Sequence, residues 1–122
     1  MPHSYPTGAA LKRYRLVTVN SSRELVHCAS GGIVVGSLQE GSTVDDVFAA
    51  GIDVSPCEVE PGKEALLEAG EALTPGWMFK AGAYGGDDGY IVRDATKTVD
   101  TLGLVLQTAT AAGQKVRVVY GV

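Results

Sequence analysis

A thiol beside an imidazole is the pairing a cysteine nucleophile uses, and His27-Cys28 supplies both groups in one step of the chain. The two residues lie in the strand-like run Leu25–Ala29, and neighbours on a strand point to opposite faces, so they cannot work as nucleophile and base. His27 is therefore expected to be a buried or edge histidine with its ring satisfied locally, and His3 lies on an N-terminal arm. No serine sits in a Gly-x-Ser-x-Gly elbow. Carboxylates fall as Asp45-Asp46, Glu58/Glu60, Glu64/Glu68/Glu71 and Asp87-Asp88, and solvated loop charges are the expectation for them. The Asp87-Asp88 pair between glycines lacks the regular ligand spacing and terminal Glu of a calcium loop. The run Gly82-x-x-Gly85-Gly86 lacks the Lys-Ser/Thr and the helix of a phosphate cradle. Trp77, Met78 and Phe79 read as core or intersubunit packing rather than a cofactor box. These patterns point to no catalytic residue, no metal and no cofactor.

Charge narrows the partners. Ten Lys and Arg against 14 Asp and Glu give a net charge of -4, which argues against binding nucleic acid through its phosphates. The one basic cluster, Lys12, Arg13 and Arg15 with Arg23 nearby, is either an exposed strand entrance or an electrostatic contact with an acidic partner protein. No run approaches the ~20 apolar residues that span a bilayer, so no membrane partner is expected. Residues 1–10 do not resemble a secretory signal, which places the product in the cytoplasm or in something assembled there. Cys28 and Cys57 are then expected to be reduced thiols.

The elements that must carry these residues read as all-β. Valine (16 residues) and threonine (nine) dominate, and 16 glycines with five prolines punctuate the chain at roughly strand-plus-turn intervals. The expectation is a compact β-sandwich or β-barrel-like domain over 15–122, preceded by an extended N-terminal arm over 1–14, with at most one short helix. Strands are predicted at Tyr14–Val19, Leu25–Ala29, Gly32–Gln39 and Asp46–Ile52, from Trp77 onward, and at Tyr90–Asp94. A final hairpin pairs Leu102–Thr108 with Val116–Val122. Gly85-Gly86-Asp87-Asp88-Gly89 reads as a loop, and Thr74-Pro75-Gly76 as a type II turn. Residues 61–70 fit a strand or a short helix. Segments 25–52 and 90–122 share one cadence: an apolar stretch, a Gly-led apolar run, a small-residue turn, then a strand-like run ending in Gly and a β-branched residue. That repetition predicts two packed β units.

The segment Glu68-Ala69-Gly70-Glu71-Ala72-Leu73-Thr74-Pro75-Gly76, then Leu102-Gly103-Leu104-Val105-Leu106, Ala109 to Gly113 and Val116–Val119, resembles the small capsid decoration (cement, or head-stabilising) proteins of tailed phages. Val35-Gly36-Ser37-Leu38-Gln39 with Gly51-Ile52 repeats the cadence in the first half, so the resemblance spans about residues 16–122. It implies a structural virion protein rather than an enzyme, on the capsid exterior. Its partners would be the major capsid protein and its own copies, as a homotrimer or homodimer. Another virion β-module (tail, spike or fibre base) and a small-molecule-binding β-barrel are the alternatives. For the interface, residue type selects Tyr5, Arg13 and Tyr14 of the arm region and Trp77 and Phe79, because aromatics and Arg are enriched at binding hot spots.

Overall fold

The computed structural model describes residues 4–39 and 46–121. His3, Asp45, the Glu40-Gly41-Ser42 turn and Val122 lie outside them. Thirteen strands follow one another, with no helix among the described residues. They are β1 (Tyr5–Pro6), β2 (Leu11–Lys12), β3 (Leu16–Val19), β4 (Leu25–His27), β5 (Gly36–Ser37), β6 (Val47–Phe48) and β7 (Asp53–Val54). After them come β8 (Cys57–Glu58), β9 (Glu64–Glu68), β10 (Met78–Tyr84), β11 (Asp87–Arg93), β12 (Gly103–Val105) and β13 (Lys115–Tyr120).

The last five strands form one antiparallel sheet in the order β11-β10-β12-β13-β9. Its two outer strands approach each other again. Ala69 and Ile91 form a parallel bridge, and the Gly70 N–H donates to the Ile91 carbonyl at 2.8 Å. The sheet is thus curled into a partly closed barrel, which removes most of its free edge. Leu67, Phe79, Ile91, Val105, Val118 and Tyr120 fill it, with Phe79 and Tyr120 rings 6.2 Å apart. Gly103 permits the β12–β13 contact, because a Cβ there would lie 2.0 Å from the Val119 carbonyl oxygen.

Alternation explains β9. Ala65, Leu67 and Ala69 are buried while Glu64 is exposed and Leu66 and Glu68 are half-buried, a period of two that pairs with β13. Within residues 61–70, Pro61-Gly62 is a turn and β9 (Glu64–Glu68) is extended, so the segment is a strand and not a helix. The Gly85–Gly89 loop is shorter than expected: β11 already begins at Asp87, and Gly85 (φ 61) with Gly86 (φ 85) makes a two-residue hairpin turn. Positive φ at both central positions matches the right-handed strand twist, and glycine adopts it freely.

A second sheet, β4-β3-β5-β8, lies beside the barrel. Leu16 joins the barrel core and its neighbour Val17 joins a second core with Leu11, Leu25, Leu38, Phe48 and Val54. A strand buried on both faces does not alternate cleanly, which accounts for the imperfect pattern of Arg15–Val19. The ladders β1–β7 and β2–β6 lie over this second core. The expected strands Gly32–Gln39 and Asp46–Ile52 shrink to β5 and β6. At Gly36 the chain passes β8 so closely that a Cβ would sit 2.4 Å from the Cys57 carbonyl oxygen.

Two segments differ from their expected use. Residues 4–14, read as an extended arm, lie along the body: Tyr5 pairs with Val54, Leu11 with Phe48, and the Thr7 hydroxyl donates to the Ala49 carbonyl at 2.6 Å. Apolar Tyr5 and Leu11 on the second core are what hold it there. The matching cadences of 25–52 and 90–122 also build different things. The first is spread over β4, β5 and β6 in two sheets, whereas the second supplies β11, β12 and β13 to one sheet.

Candidate interaction surface

Arg15 joins the two layers. Only 2% of it is exposed. Its Nε donates to Glu68 Oε1 at 2.8 Å, Nη2 donates to the Tyr90 hydroxyl, and the guanidinium lies 3.9 Å from the Tyr90 ring centre. Glu68 is on β9 and Tyr90 on β11, so Arg15 fills the gap left beyond the Ala69–Ile91 bridge. Burial pushes the Tyr90 phenol above its usual value, with the Arg15 charge opposing it. Around this ion pair the outer edge of β9 is sealed. The Glu68 N–H donates to the Tyr14 carbonyl at 2.8 Å and the Leu66 N–H to Gln39 Oε1 at 3.1 Å, while Gln39 Nε2 donates to the Leu66 carbonyl at 3.0 Å. One glutamine side chain thereby imitates a strand partner.

Tyr14 achieves this with φ 66, a left-handed conformation unfavourable for an aromatic residue. The Arg13 guanidinium lies 4.6 Å and the Lys115 ammonium 5.4 Å from its ring centre. Arg13 Nε donates to the Gln39 carbonyl, and its Nη1 lies 3.3 Å from Asp46 Oδ1. The structure therefore brings Arg13 and Tyr14 together. It adds Lys115, which sequence reasoning missed because 100 positions separate it from the basic cluster.

The other predicted contact residues lie apart. Tyr5 is half-buried and lines a hollow of about 250 Å³ with Val34, Val35, Pro56, Glu58 and Val59. Trp77 is half-buried on the barrel, its ring covered by the Arg93 guanidinium at 4.1 Å. Phe79 is a correction. It is wholly buried inside the barrel against Tyr120 and presents nothing to a partner. Its place on β10 follows from alternation: Phe79 and Ala81 face inward, Met78 and Lys80 outward.

Two exposed aliphatic residues were not singled out by the sequence. Ile33 is 83% exposed, Val99 is fully exposed, and both line a groove of about 470 Å³. The Val99 loop is held firmly. Thr101 Oγ1 donates to Asp94 Oδ2 at 2.5 Å and Thr98 Oγ1 to the same oxygen at 3.0 Å, while the Asp94 N–H bonds the Met78 carbonyl at 2.9 Å. The Thr101 hydrogen bond, opposed by burial and helped by the Thr98 bond, holds the Asp94 carboxyl below its usual value. Thr-x-x-Thr four residues after an Asp was the available signal.

His27 is half-satisfied. Its Nε2 accepts from the Lys12 N–H at 3.1 Å, whereas the buried Nδ1 has no partner among the described residues. Burial first, then the Arg15 charge, lowers its pKa from 6.5 to about 4. Cys28 is buried, and burial pushes its thiol up, away from the nucleophilic thiolate. Cys28 and Cys57 are both free thiols. Among the described residues no three His, Cys, Asp or Glu side chains gather as metal ligands would. What the arrangement offers is surface: a charged aromatic corner and two mixed hollows that both take in Val34.

No protein-family model matches the sequence, and neither does any curated protein. Among solved structures, the head fiber gp8.5 N base in bacteriophage phi29 is similar to this chain, with a TM-score of 0.75 and 18% sequence identity. The similarity covers 99% of this chain and 93% of that one. At that identity the two share a fold.

Proposed function

We propose that this chain is a structural, non-enzymatic protein of a bacteriophage virion, seated on the outside of the head and stabilising the lattice of the major capsid protein. The observation that carries the virion part of the reading is the end-to-end correspondence with a phage head fiber base, at 99% and 93% coverage. The resemblance of residues 16–122 to decoration proteins supports it from the sequence side. The physical mechanism is linkage: a protein that binds the assembled shell, and not its separate subunits, stabilises the shell by mass action. Repetition of modest contacts over a lattice adds avidity without any single tight site. Its partners in this reading are proteins, namely the shell subunit and further copies of this chain as a homotrimer or homodimer. Tyr5, Arg13, Tyr14 and Trp77 are the proposed contact residues. Assembly takes place in the host cytoplasm.

A second reading, the base of a head fibre, is favoured because the structural neighbour is itself a head fiber base. Counting copies per purified particle by quantitative mass spectrometry separates the two. A number comparable to the shell subunits supports lattice-wide decoration, and a small fraction of it supports a fibre base. Absence from the particle overturns both.

A further inference from the structure

The groove between β2 and the start of β13 encloses about 260 Å³ and is lined by Lys12, Arg13, Asp46, Val47, Glu68 and Lys115. We propose that it receives a carboxylate side chain from an acidic segment of a partner protein. Arg15 neutralises Glu68 from within the fold, so their charges cancel. Arg13 and Asp46 form a longer pair at 3.3 Å, with Asp46 half exposed at 52%. Such a pair is weakly held and can exchange for an incoming carboxylate. Lys12 and Lys115 carry no salt bridge among the described residues. The groove is therefore a cationic spot on a chain of net charge -4.

Backbone strain points to the same place. Three non-glycine residues have positive φ among those described: Tyr14 (66), Asp46 (62) and Arg23 (61). Asp46 lines this groove, the Tyr14 ring lies against its Arg13 and Lys115, and Arg23 belongs to the turn before β4. Aspartate tolerates the left-handed region, but a tyrosine persists there only when its surroundings hold it. The Tyr14 N–H bonds the Leu38 carbonyl at 2.6 Å and its carbonyl accepts from Glu68 at 2.8 Å. The strained turn thus fixes a ring against the Arg13 and Lys115 cations and pre-orders them for one acceptor.

A carboxylate suits the groove better than a run of phosphates. Nucleic acid needs a track of cations, whereas this is a single spot into which Asp46 and Glu68 already intrude. The assignment rests on the groove itself and holds whether or not the partner is a capsid subunit.

The test is a titration of the ¹⁵N-labelled full chain, followed by NMR, with a peptide of alternating Glu and Ser. The Gln-Ser counterpart and an oligothymidylate of equal charge are the controls. The expected result is saturable shifts at the Lys12, Arg13, Tyr14 and Lys115 amides with the Glu peptide, abolished by high salt and absent with the Gln peptide. The double variant Lys12→Gln/Lys115→Gln, with an otherwise unchanged spectrum, should bind about tenfold more weakly. Shifts scattered over the surface, an unchanged affinity in the double variant, or tighter binding of the oligothymidylate would each overturn the proposal.

Discussion

Residues 64–120 spend five strands of three to seven residues on one sheet that nearly closes on itself, whereas residues 5–58 spread eight strands of two to four residues over three small sheets. Both halves are β, yet they are stabilised differently. In the barrel, long ladders satisfy the backbone and one continuous core fills the interior. In the N-terminal layer the ladders are short, and turns and side chains complete them: Thr7 at Ala49, Asn20 Oδ1 at Ser22 and Glu24, Gln39 at Leu66. That layer is joined to the barrel by Arg15, Tyr14 and Gln39, by the Gly89 N–H donating to the Cys28 carbonyl at 3.0 Å, and by Leu16 and Cys28 in the barrel core. The lesson is a division of labour, with a long-laddered barrel whose core takes in Leu16 and Cys28 of the N-terminal layer, and a jacket of short ladders around it. Tyr5, Arg13 and Tyr14 of the proposed contact surface all lie on the jacket.

The comparison breaks first at the cores. Phe79→Ala should lower global stability by about 3–5 kcal/mol, because it empties the barrel centre. Phe48→Ala in the second core should instead accelerate amide exchange in β1–β4 while β10–β13 stay protected. Native-state hydrogen exchange on both variants checks this, and equal deprotection of both halves by Phe48→Ala would mean that the jacket and barrel are one cooperative unit.

The seam is the next place to press. Arg15→Ala leaves Glu68 and Tyr90 without their partner and should cost about 2–3 kcal/mol in equilibrium denaturation. Adding Glu68→Gln should recover part of that loss. No recovery would show that the arginine acts by packing rather than charge.

Acid sharpens the comparison further, since His27 belongs to the jacket. Its pKa is lowered from 6.5 to about 4, so between those values the unfolded chain binds a proton that the folded chain does not. Stability conferred by neutral His27 is therefore intact above pH 6.5 and falls as the pH drops toward 4. His27→Gln should flatten that segment of a thermal-denaturation pH series. Identical slopes in variant and wild type would remove His27 from the account.

The smallest expected effect is at Tyr14. With φ 66, Tyr14→Gly should be more stable than Tyr14→Ala by about 1 kcal/mol, the reverse of the usual order, measured by denaturant midpoint. Equal midpoints would show that the turn relaxes when the ring is lost.

Legibility in the sequence followed the same division. The final hairpin was readable because Leu102–Val105 and Val116–Tyr120 are apolar runs set off by Gly113, and β12 pairs with β13. The jacket was not, because strands of two residues are too short to show a period. Gly36 is placed by a crossing with Cys57, which no local pattern encodes. Arg13 and Tyr14 were visible as residue types, but Lys115 joins them only through the β13–β9 register. Phe79 misled for a related reason. An aromatic cluster looks the same in sequence whether it faces a core or a partner, and only the alternation Met78 out, Phe79 in decides.

The central claim, that this chain seats on an assembled phage head, is tested most directly by co-sedimentation of the purified protein with expanded heads lacking it, at increasing protein-to-head ratios. The account predicts saturable binding at a copy number set by the shell's symmetry positions and a higher melting temperature of the decorated heads. Protein left entirely in the supernatant, with head stability unchanged, would contradict it.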